Sequence, residues 1–371
     1  MKALPSTPLV KVDLSALCRN FRRISAGTPK AKPAAVVKCN AYGLGLVPVA
    51  RALALHEQCE TFFVAFTKAG IALRSALSSV APDAKIYVFN GPSAKEIDDF
   101  KIHRLTPVLN TVEQTSLWAS SCPNATAALH IDTGMNRLGL AVTDMAAINQ
   151  IDNLSIELVM SHFACASTPG SPMLAQQQSA FDTITKMFPG AKTSLASTGG
   201  ALIDDAFGYD MTRLGVGLYG ASPFADAHDQ IEPVAQLLAP VLQIRAVKAG
   251  QSAGYNATHI FKEDATLATI AIGYGDGFPR AGSNRAHVWL GGARCPMVGI
   301  ISMDTIIVDI TAAPAPIQVG DWAELYGTQL LIEEAASTCN TIAYELLTGL
   351  GERAERRYFW ENAPADASLT G

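Results

Sequence analysis

Charge is scarce in this chain. Only 16% of its 371 residues are Asp, Glu, Lys or Arg, and the basic ones gather into no run. With a net charge of −5, it lacks the electrostatic footprint of a nucleic-acid binder or of a protein that adheres to anionic membranes. A small-molecule substrate is expected instead. The seven cysteines (Cys18, Cys39, Cys59, Cys122, Cys165, Cys295 and Cys339) are odd in number and scattered, with no C-x-x-C pair to bind zinc or cycle as a dithiol. They read as reduced, mostly buried thiols. Residues 1–10 hold no apolar core of signal-peptide length, so a cytoplasmic location is expected. The stretch from Leu158 to Phe181 carries no Asp, Glu, Lys or Arg. It nevertheless holds His162, Pro169, Pro172 and three consecutive glutamines, which a membrane helix would not accommodate, and no transmembrane segment is expected. Internal repeats and low-complexity tracts are absent too.

What the chain does have is apolar content, 49% of its residues, over a length that exceeds a comfortable single core. Two domains are expected. Short apolar or β-branched runs recur at Ala34–Val37, Phe62–Ala65, Ile86–Phe89, Thr106–Leu109, Ala127–Ile131, Ile156–Ser161, Thr193–Ala196 and Val216–Tyr219. Segments of helical periodicity, such as Val47-Ala50-Arg51-Ala54 and Ala69-Leu73-Leu77, lie between them. Eight βα units predict a (β/α)₈ barrel. An open doubly wound sheet is the alternative, but no G-x-G-x-x-G follows the first strand. Beyond Pro233 the texture changes to strand-like runs separated by Gly, Pro, Asn and Asp: Leu242–Val247, Leu267–Ile272, Ala286–Leu290, Met297–Ile301, Ile306–Ile310 and Trp322–Leu325. The expected organisation is a barrel domain over residues 10–233 and a mostly antiparallel β domain over 234–371, with residues 1–9 free to pack with the latter.

Chemistry-bearing residues sit just past the ends of the barrel runs, on the rim where barrel active sites are built. Lys38 and Tyr42 follow the first run, in Val37-Lys38-Cys39-Asn40-Ala41-Tyr42-Gly43-Leu44-Gly45. An amine at a strand end beside a glycine-rich turn suits a Schiff base with pyridoxal 5′-phosphate (PLP), whose phosphate needs backbone N–H groups. Arg137 follows the fifth run in Asp132-Thr133-Gly134-Met135-Asn136-Arg137-Leu138-Gly139, and His162 the sixth in Ser161-His162-Phe163. Ser197, Thr198 and Gly199 follow the seventh, and Arg213 and Gly215 precede the eighth. Each alone has an ordinary structural explanation. Their joint placement around one mouth is what points to a site.

These motifs, with Ala253-Gly254-Tyr255-Asn256, Ile272-Gly273-Tyr274-Gly275-Asp276-Gly277 and Ser302-Met303-Asp304 in the second half, resemble those of the alanine racemase family over nearly the whole chain. The resemblance implies a PLP-dependent interconversion of L- and D-alanine, for cell-wall D-alanine supply or for D-alanine breakdown. It also implies a head-to-tail homodimer with shared active sites. Lys38 matches the Schiff-base lysine and first base. Tyr255 matches the second base, and Met303 a residue whose backbone approaches the substrate carboxylate, both reaching the neighbouring subunit's site. Tyr42, Thr198, Gly215 and Val216 match phosphate ligands, and Tyr344 a tyrosine that touches the phosphate and narrows the substrate channel. Arg137 matches the arginine beside the phenolic oxygen and the substrate carboxylate, His162 a support for the pyridine ring, and Arg213 the arginine facing the ring nitrogen. A guanidinium keeps its protons, so it leaves that nitrogen unprotonated and the ring a weaker electron sink. Two bases are required on general grounds, because the α-proton leaves one face of a planar carbanion and must return to the other. A phenol needs a nearby cation to act as one of them.

The chain departs from the family at three places. Many members have a carbamylated lysine two residues before D-T-G-M that steadies the motif's arginine; here the position is His130, leaving Arg137 to be held by His130 itself or by a bound anion. Ser167 replaces a usual aspartate and Ile300 a usual arginine near the expected entrance, while Arg280 remains. Loss of both partners is more coherent than loss of either, because one alone would strand a charge. The competing readings are a serine or broader-specificity racemase on the same scaffold, a PLP decarboxylase of similar architecture, and a non-catalytic PLP carrier. Tyr344 and Tyr255 favour a small side chain, though a methylene or two is worth only about 1–3 kcal/mol of discrimination. G-Y-G-D-G and S-M-D disfavour the decarboxylase, and a mere carrier needs no second domain.

Overall fold

The computed structural model describes residues 5–224 and 231–361 and divides into two compact units. The first, formed by residues 18–218 with 223–224 and 231, is built on eight parallel strands. With β1 (Leu9–Asp13) lying outside it, the strands run in order from β2 (Lys32–Val36) through β3 (Thr61–Val64), β4 (Lys85–Val88), β5 (Thr106–Leu109), β6 (Thr126–His130), β7 (Ser155–Met160) and β8 (Lys192–Ser194) to β9 (Met211–Leu214). β9 returns to pair with β2, Lys32 opposite Met211 and Ala35 opposite Leu214. Between β8 and β9 the ring closes through a Ser197–Arg213 bridge and an Arg213 N–H to Ala196 C=O bond of 3.0 Å. This closure decides for the barrel over the open sheet. Consecutive residues of β3, β5 and β9 are buried, as expected of parallel strands covered on both faces.

The eighth strand is not where the apolar run placed it. Val216–Tyr219 is a 3₁₀ turn, in which Leu218 N–H bonds Gly215 C=O at 2.8 Å, and the strand is the preceding Met211–Leu214. Gly215 and Gly217 interrupt the apolar stretch and have no side chain to pack on a sheet. Arg213 therefore lies inside a strand rather than before one.

The second unit comprises residues 5–17, 219–222 and 232–361. Its long strand β10 (Ala235–Val247) is followed by the short pair β11 (Ser252–Ala253) and β12 (His259–Ile260), then β13 (Ala265–Ile270), β14 (His287–Leu290), β15 (Ala293–Pro296), β16 (Ile306–Asp309), β17 (Trp322–Tyr326) and β18 (Glu355–Phe359). The main sheet runs β15-β14-β17-β10-β1-β18, with β13 added to β10 and β16 to β13; all its pairings are antiparallel except β1 with β18. The barrel domain expected to start at residue 10 thus starts later: β1 pairs Leu9 with Leu238 and with Glu355, so residues up to 17 belong with this sheet. The strand expected at Met297–Ile301 is a loop with a single bridge from Met297 to Val308. Gly299, at φ +78°, turns the chain there against Ala253 C=O, where any side chain would clash. Among the described residues no helix is long and apolar enough to cross a membrane.

Candidate active site

The loop after β2 is the most strained backbone in the barrel. Cys39, Asn40, Ala41 and Tyr42 all have φ between 52° and 54°, a left-handed turn that costs roughly 1–2 kcal/mol per non-glycine residue. It is held by Gly43 N–H to Cys39 C=O at 2.8 Å, Gly45 N–H to Asn40 C=O at 2.9 Å, and Asn40 Oδ1 accepting from Leu46 N–H at 2.8 Å. Strain of this kind persists where the surrounding structure enforces it. Its result is that Lys38 stands at the strand end while Tyr42 is returned beside β9. Burial lowers the Lys38 pKa and the Arg137 cation lowers it further, with Cys39 opposing, so the amine is biased toward the neutral form that a nucleophile or base requires. Its Nζ lies 6.0 Å from the Phe89 ring centroid.

Opposite this turn, Gly215 follows β9. Its N–H donates to Thr198 Oγ1 at 3.0 Å, and a Cβ built on it would come within 2.8 Å of the Tyr42 hydroxyl. Gly215 N–H, the Thr198 hydroxyl that accepts from it and the Tyr42 hydroxyl therefore meet where only a glycine backbone fits. Val216 opens the adjoining 3₁₀ turn.

Arg213 is 2% exposed and has no carboxylate partner among the described residues. Its guanidinium donates to Ser194 Oγ, to Ser161 C=O and, at 3.2 Å, to Leu195 C=O. Burial pushes its pKa down to about 9, which still leaves it protonated at neutral pH. Nη2 also lies 3.4 Å from His162 Nδ1; because a guanidinium only donates, Nδ1 accepts and the ring proton belongs on Nε2. Burial, Arg213 and Arg137 hold His162 well below the usual histidine range. His130 is 9% exposed, and burial followed by Arg213 pushes it down to about 4. Both imidazoles are neutral at pH 7.

Arg137 sits near the tip of a loop pinned at its base. Leu140 N–H bonds His130 C=O and Asp132 N–H bonds Leu140 C=O, while Asp132 Oδ1 accepts from Gly134 and Met135 N–H, each at 2.8 Å. The Arg137 side chain is exposed and makes no hydrogen bond or ion pair among the described residues. The fully buried Gln177, on the helix Pro172–Thr185, ties this loop to the neighbouring strand end. Its amide donates to Thr133 Oγ1 at 3.2 Å and His162 C=O at 3.0 Å, and its oxygen accepts from Ala164 N–H at 2.8 Å. Gln177 was present in the sequence only as one of three consecutive glutamines. Its sole signal was a polar residue at an inward helical position, visible once the helix bounds are known.

The barrel unit thus gathers Lys38, Tyr42, Arg137, His162, Thr198, Arg213, Gly215 and Val216. The sheet unit carries the other three. Tyr255 is 66% exposed, between Gly254 at φ +69° and Asn256 at +59°. Met303 is 54% exposed, and its carbonyl accepts from Gly275 N–H at 2.9 Å. Behind it Arg353 bridges Asp276 at 2.9 Å and Asp304 at 2.6 Å, clamping the Gly273–Gly277 and Ser302–Asp304 segments together. Tyr344 is the second residue of a short helix, Ala343–Thr348; its side chain is partly exposed, and burial pushes its phenol pKa up.

Comparison with known proteins identifies the family. Residues 12–223 match the model of the alanine racemase N-terminal domain and residues 234–358 that of the alanine racemase C-terminal domain. The chain belongs to the alanine racemase family. A Methylobacterium nodulans protein named alanine racemase is 40% identical over 355 residues, covering 94% of this chain and 95% of that one. A Rhizobium johnstonii protein named as a catabolic alanine racemase is 39% identical, with 95% of each covered. The crystal structure of alanine racemase from Bartonella henselae, with covalently bound pyridoxal phosphate, superposes with a TM-score of 0.88 at 34% identity, covering 96% of this chain and all of that one.

The donor set here fits the cofactor that the family resemblance implies. A near-neutral amine, a glycine cradle with two hydroxyls for a phosphate, and a buried arginine able only to donate to a ring nitrogen are complementary to a phosphorylated pyridine aldehyde. The cradle is directly testable in this alanine racemase family member. Gly215→Ala forces Tyr42 aside, and the expected outcome is an overpacking cost of about 1–3 kcal/mol together with at least about tenfold weaker PLP binding. Absorbance titration of the apoprotein measures it; unchanged affinity would remove Gly215 from the phosphate site.

The depressed histidines predict acid sensitivity. The folded-state pKa of His130 lies below its ordinary 6.5, so below pH 6.5 the unfolded chain binds more protons. The associated stability is complete above about pH 6.5 and is lost as pH falls towards about 4, a change on the order of 3 kcal/mol. Urea unfolding at pH 7, 5.5 and 4.5 reads this, and His130→Leu should flatten the decline.

Proposed function

We propose that this protein is an alanine racemase that uses pyridoxal 5′-phosphate to interconvert L- and D-alanine, with Lys38 and Tyr255 as bases on opposite faces of the substrate. The observation that carries the reading is the convergence of the Lys38 amine, its pKa lowered by burial, with the glycine cradle at Gly215 and the carboxylate-free Arg213 at one barrel mouth. The names of the relatives supply the substrate. When bound through Lys38, the cofactor supplies the electron-withdrawing ring that acidifies the α-hydrogen of the amino acid it holds.

The protein's own residues do the rest. Tyr42, Thr198, Gly215 and Val216 would hold the phosphate, and by the family resemblance Tyr344 is assigned to it as well. Arg137 receives the substrate carboxylate, and the backbone at Met303, fixed through Gly275 and the Arg353 clamp, approaches the same group. Lys38 Nζ takes or returns the α-proton on one face and the Tyr255 hydroxyl on the other. His162 and Arg213 support the pyridine edge. Arg213, which can only donate, would face the ring nitrogen and leave it unprotonated, and the weaker electron sink this makes would disfavour transamination and elimination. The exposure of Tyr255 and Met303, together with Ile260 and Tyr274 on the same unit, supports a homodimer in which each chain lends these residues to the other. Two findings favour small-substrate chemistry over a serine or broader racemase: the alanine racemase names of the relatives, and the retention of Tyr344 and Tyr255.

Incubating the protein with L- or D-alanine and separating the products on a chiral column tests the activity. Racemisation of serine in preference to alanine would transfer the assignment to the broader class. Borohydride reduction should fix the cofactor on the peptide bearing Lys38, and Lys38→Ala should abolish both labelling and more than about 99% of turnover. Reduced cofactor on another lysine would sink the assignment.

The shared-site reading makes a separate prediction. Lys38→Ala and Tyr255→Phe, each inactive, should recover activity when their subunits are mixed, because a hybrid dimer contains one site with both bases. Absence of recovery where mass spectrometry shows exchanged subunits would place both bases in one chain.

A further inference from the structure

Among the described residues, the groups that act on the charge of Lys38 include no carboxylate. Burial disfavours its ammonium form, Arg137 adds to that effect and Cys39 opposes it, while the neighbouring His162 is neutral. A lysine that takes an α-proton must nevertheless become an ammonium at that spot. What the structure offers it is an aromatic face. Nζ lies over the Phe89 ring, 6.0 Å from its centroid, the distance at which the negative face of a ring begins to attract a cation. The ring is held in place from beneath. Alternation along β4 puts Lys85, Tyr87 and, one residue past the strand, Phe89 on the same face. Phe89 stacks on Phe63, with 5.0 Å between centroids and 23° between planes, and Phe63 stacks on Tyr87 at 4.7 Å and 13°. The Tyr87 hydroxyl donates to Glu157 Oε1 at 2.8 Å, and Lys85 pairs with Glu157 Oε2, also at 2.8 Å. The Phe89 backbone is tied as well. Its N–H donates to Val64 C=O at 2.9 Å, and its C=O accepts at 2.8 Å from the buried Asn110 amide, which also donates to Val108 C=O at 2.9 Å. Phe63 and Tyr87 are buried, whereas Phe89 is partly exposed.

We propose that Phe89 is a positioning residue for Lys38, the face of its ring receiving the ammonium form of the amine by a cation–π contact at the barrel mouth. The inference rests on the reading of Lys38 as a base. The ring counters burial and Arg137, both of which disfavour the charged amine. It does so without a fixed negative charge. A carboxylate in its place would attract the ammonium more strongly, but it would also repel the anionic ligands for which the mouth is built. An aliphatic side chain would wall the mouth equally well, yet it has no negative face to offer a cation.

The apoprotein reads the contact without the cofactor. With ¹³C-labelled lysine, the Lys38 resonance, assigned by its loss in Lys38→Ala, gives the titration of the amine directly. In Phe89→Leu its midpoint should move to lower pH by roughly half a pH unit, and Phe89→Tyr, which keeps the ring face, should restore most of the shift. Replacing Phe89 with mono-, di- and trifluorinated phenylalanine withdraws charge from the ring face at nearly constant shape. The midpoint should fall stepwise along that series, a trend that a packing role would not produce, and the series decides alone should Phe89→Leu not fold. In the PLP-loaded enzyme, alanine turnover should fall in step. A midpoint that stays flat along the fluorinated series, or rises, overturns the proposal, as does a shifted midpoint with unchanged turnover. Borohydride labelling separates this failure from that of the functional reading. Label on Lys38 with a flat series removes Phe89 alone, whereas label on another lysine removes Lys38 as the base and the role of Phe89 with it.

Discussion

The site is organised by a buried positive charge that has no carboxylate beside it. Arg213 is held by a hydroxyl and two backbone carbonyls, each of which comes from the end of a barrel strand or the residue just past it. An uncompensated guanidinium in a protein interior costs several kcal/mol of desolvation, and a carboxylate would be the cheaper partner if stability alone were at stake. Carbonyl dipoles keep the charge in place without neutralising it. Burial is the main force that keeps the neighbouring groups neutral, and the two arginines add to it: Arg213 and Arg137 at His162 and His130, and Arg137 at Lys38. The mouth is an electropositive well whose titratable groups are already set for an anionic ligand, and a phosphorylated cofactor with an amino-acid carboxylate supplies the missing charge.

Much of this was legible before the fold was known, for unequal reasons. The Lys38–Gly45 segment announces itself as a lysine at the end of an apolar run before a glycine-rich turn, whereas the left-handed backbone of Cys39 to Tyr42 has no such mark in the sequence. Seven of the eight barrel strands were found from apolar runs, since parallel strands buried on both faces carry no alternation to confuse with surface strands. The eighth was misplaced onto Val216–Tyr219 because Met211–Leu214 holds two buried polar residues, Thr212 and Arg213, the second of them a site residue. Function, here, overrode the hydrophobic pattern. The attachment of β1 to β10 and β18 was half visible: pairing between residue 9 and residues 238 and 355 leaves no local trace in the chain. Asn110 and Gln177 escaped for a similar reason. Each is a buried amide whose value lies in linking elements distant in sequence, and a lone Asn or Gln gives no spacing to read.

The three departures from the family pattern differ in what surrounds them. Ser167 is exposed on the barrel unit, and Ile300 is partly buried on the sheet unit with its backbone against Gly254, next to Tyr255. His130 is the one substitution that falls within the cationic cluster itself, and its environment is the most constrained of the three, with a fixed amide on one ring nitrogen and arginines around it.

Seen together, the two histidines divide the ring's two functions between them. Asn110 commits His130 to Nδ1–H, leaving Nε2 to accept; Arg213 commits His162 to accept at Nδ1, leaving Nε2–H to donate. Neither commitment would survive protonation, because an imidazolium donates from both nitrogens. Burial, with the arginines adding to it, keeps both rings neutral, and a hydrogen-bond partner gives each ring its direction. At His130 that direction is firm because the buried Asn110 amide has its donors already used on two carbonyls, which leaves its oxygen to accept.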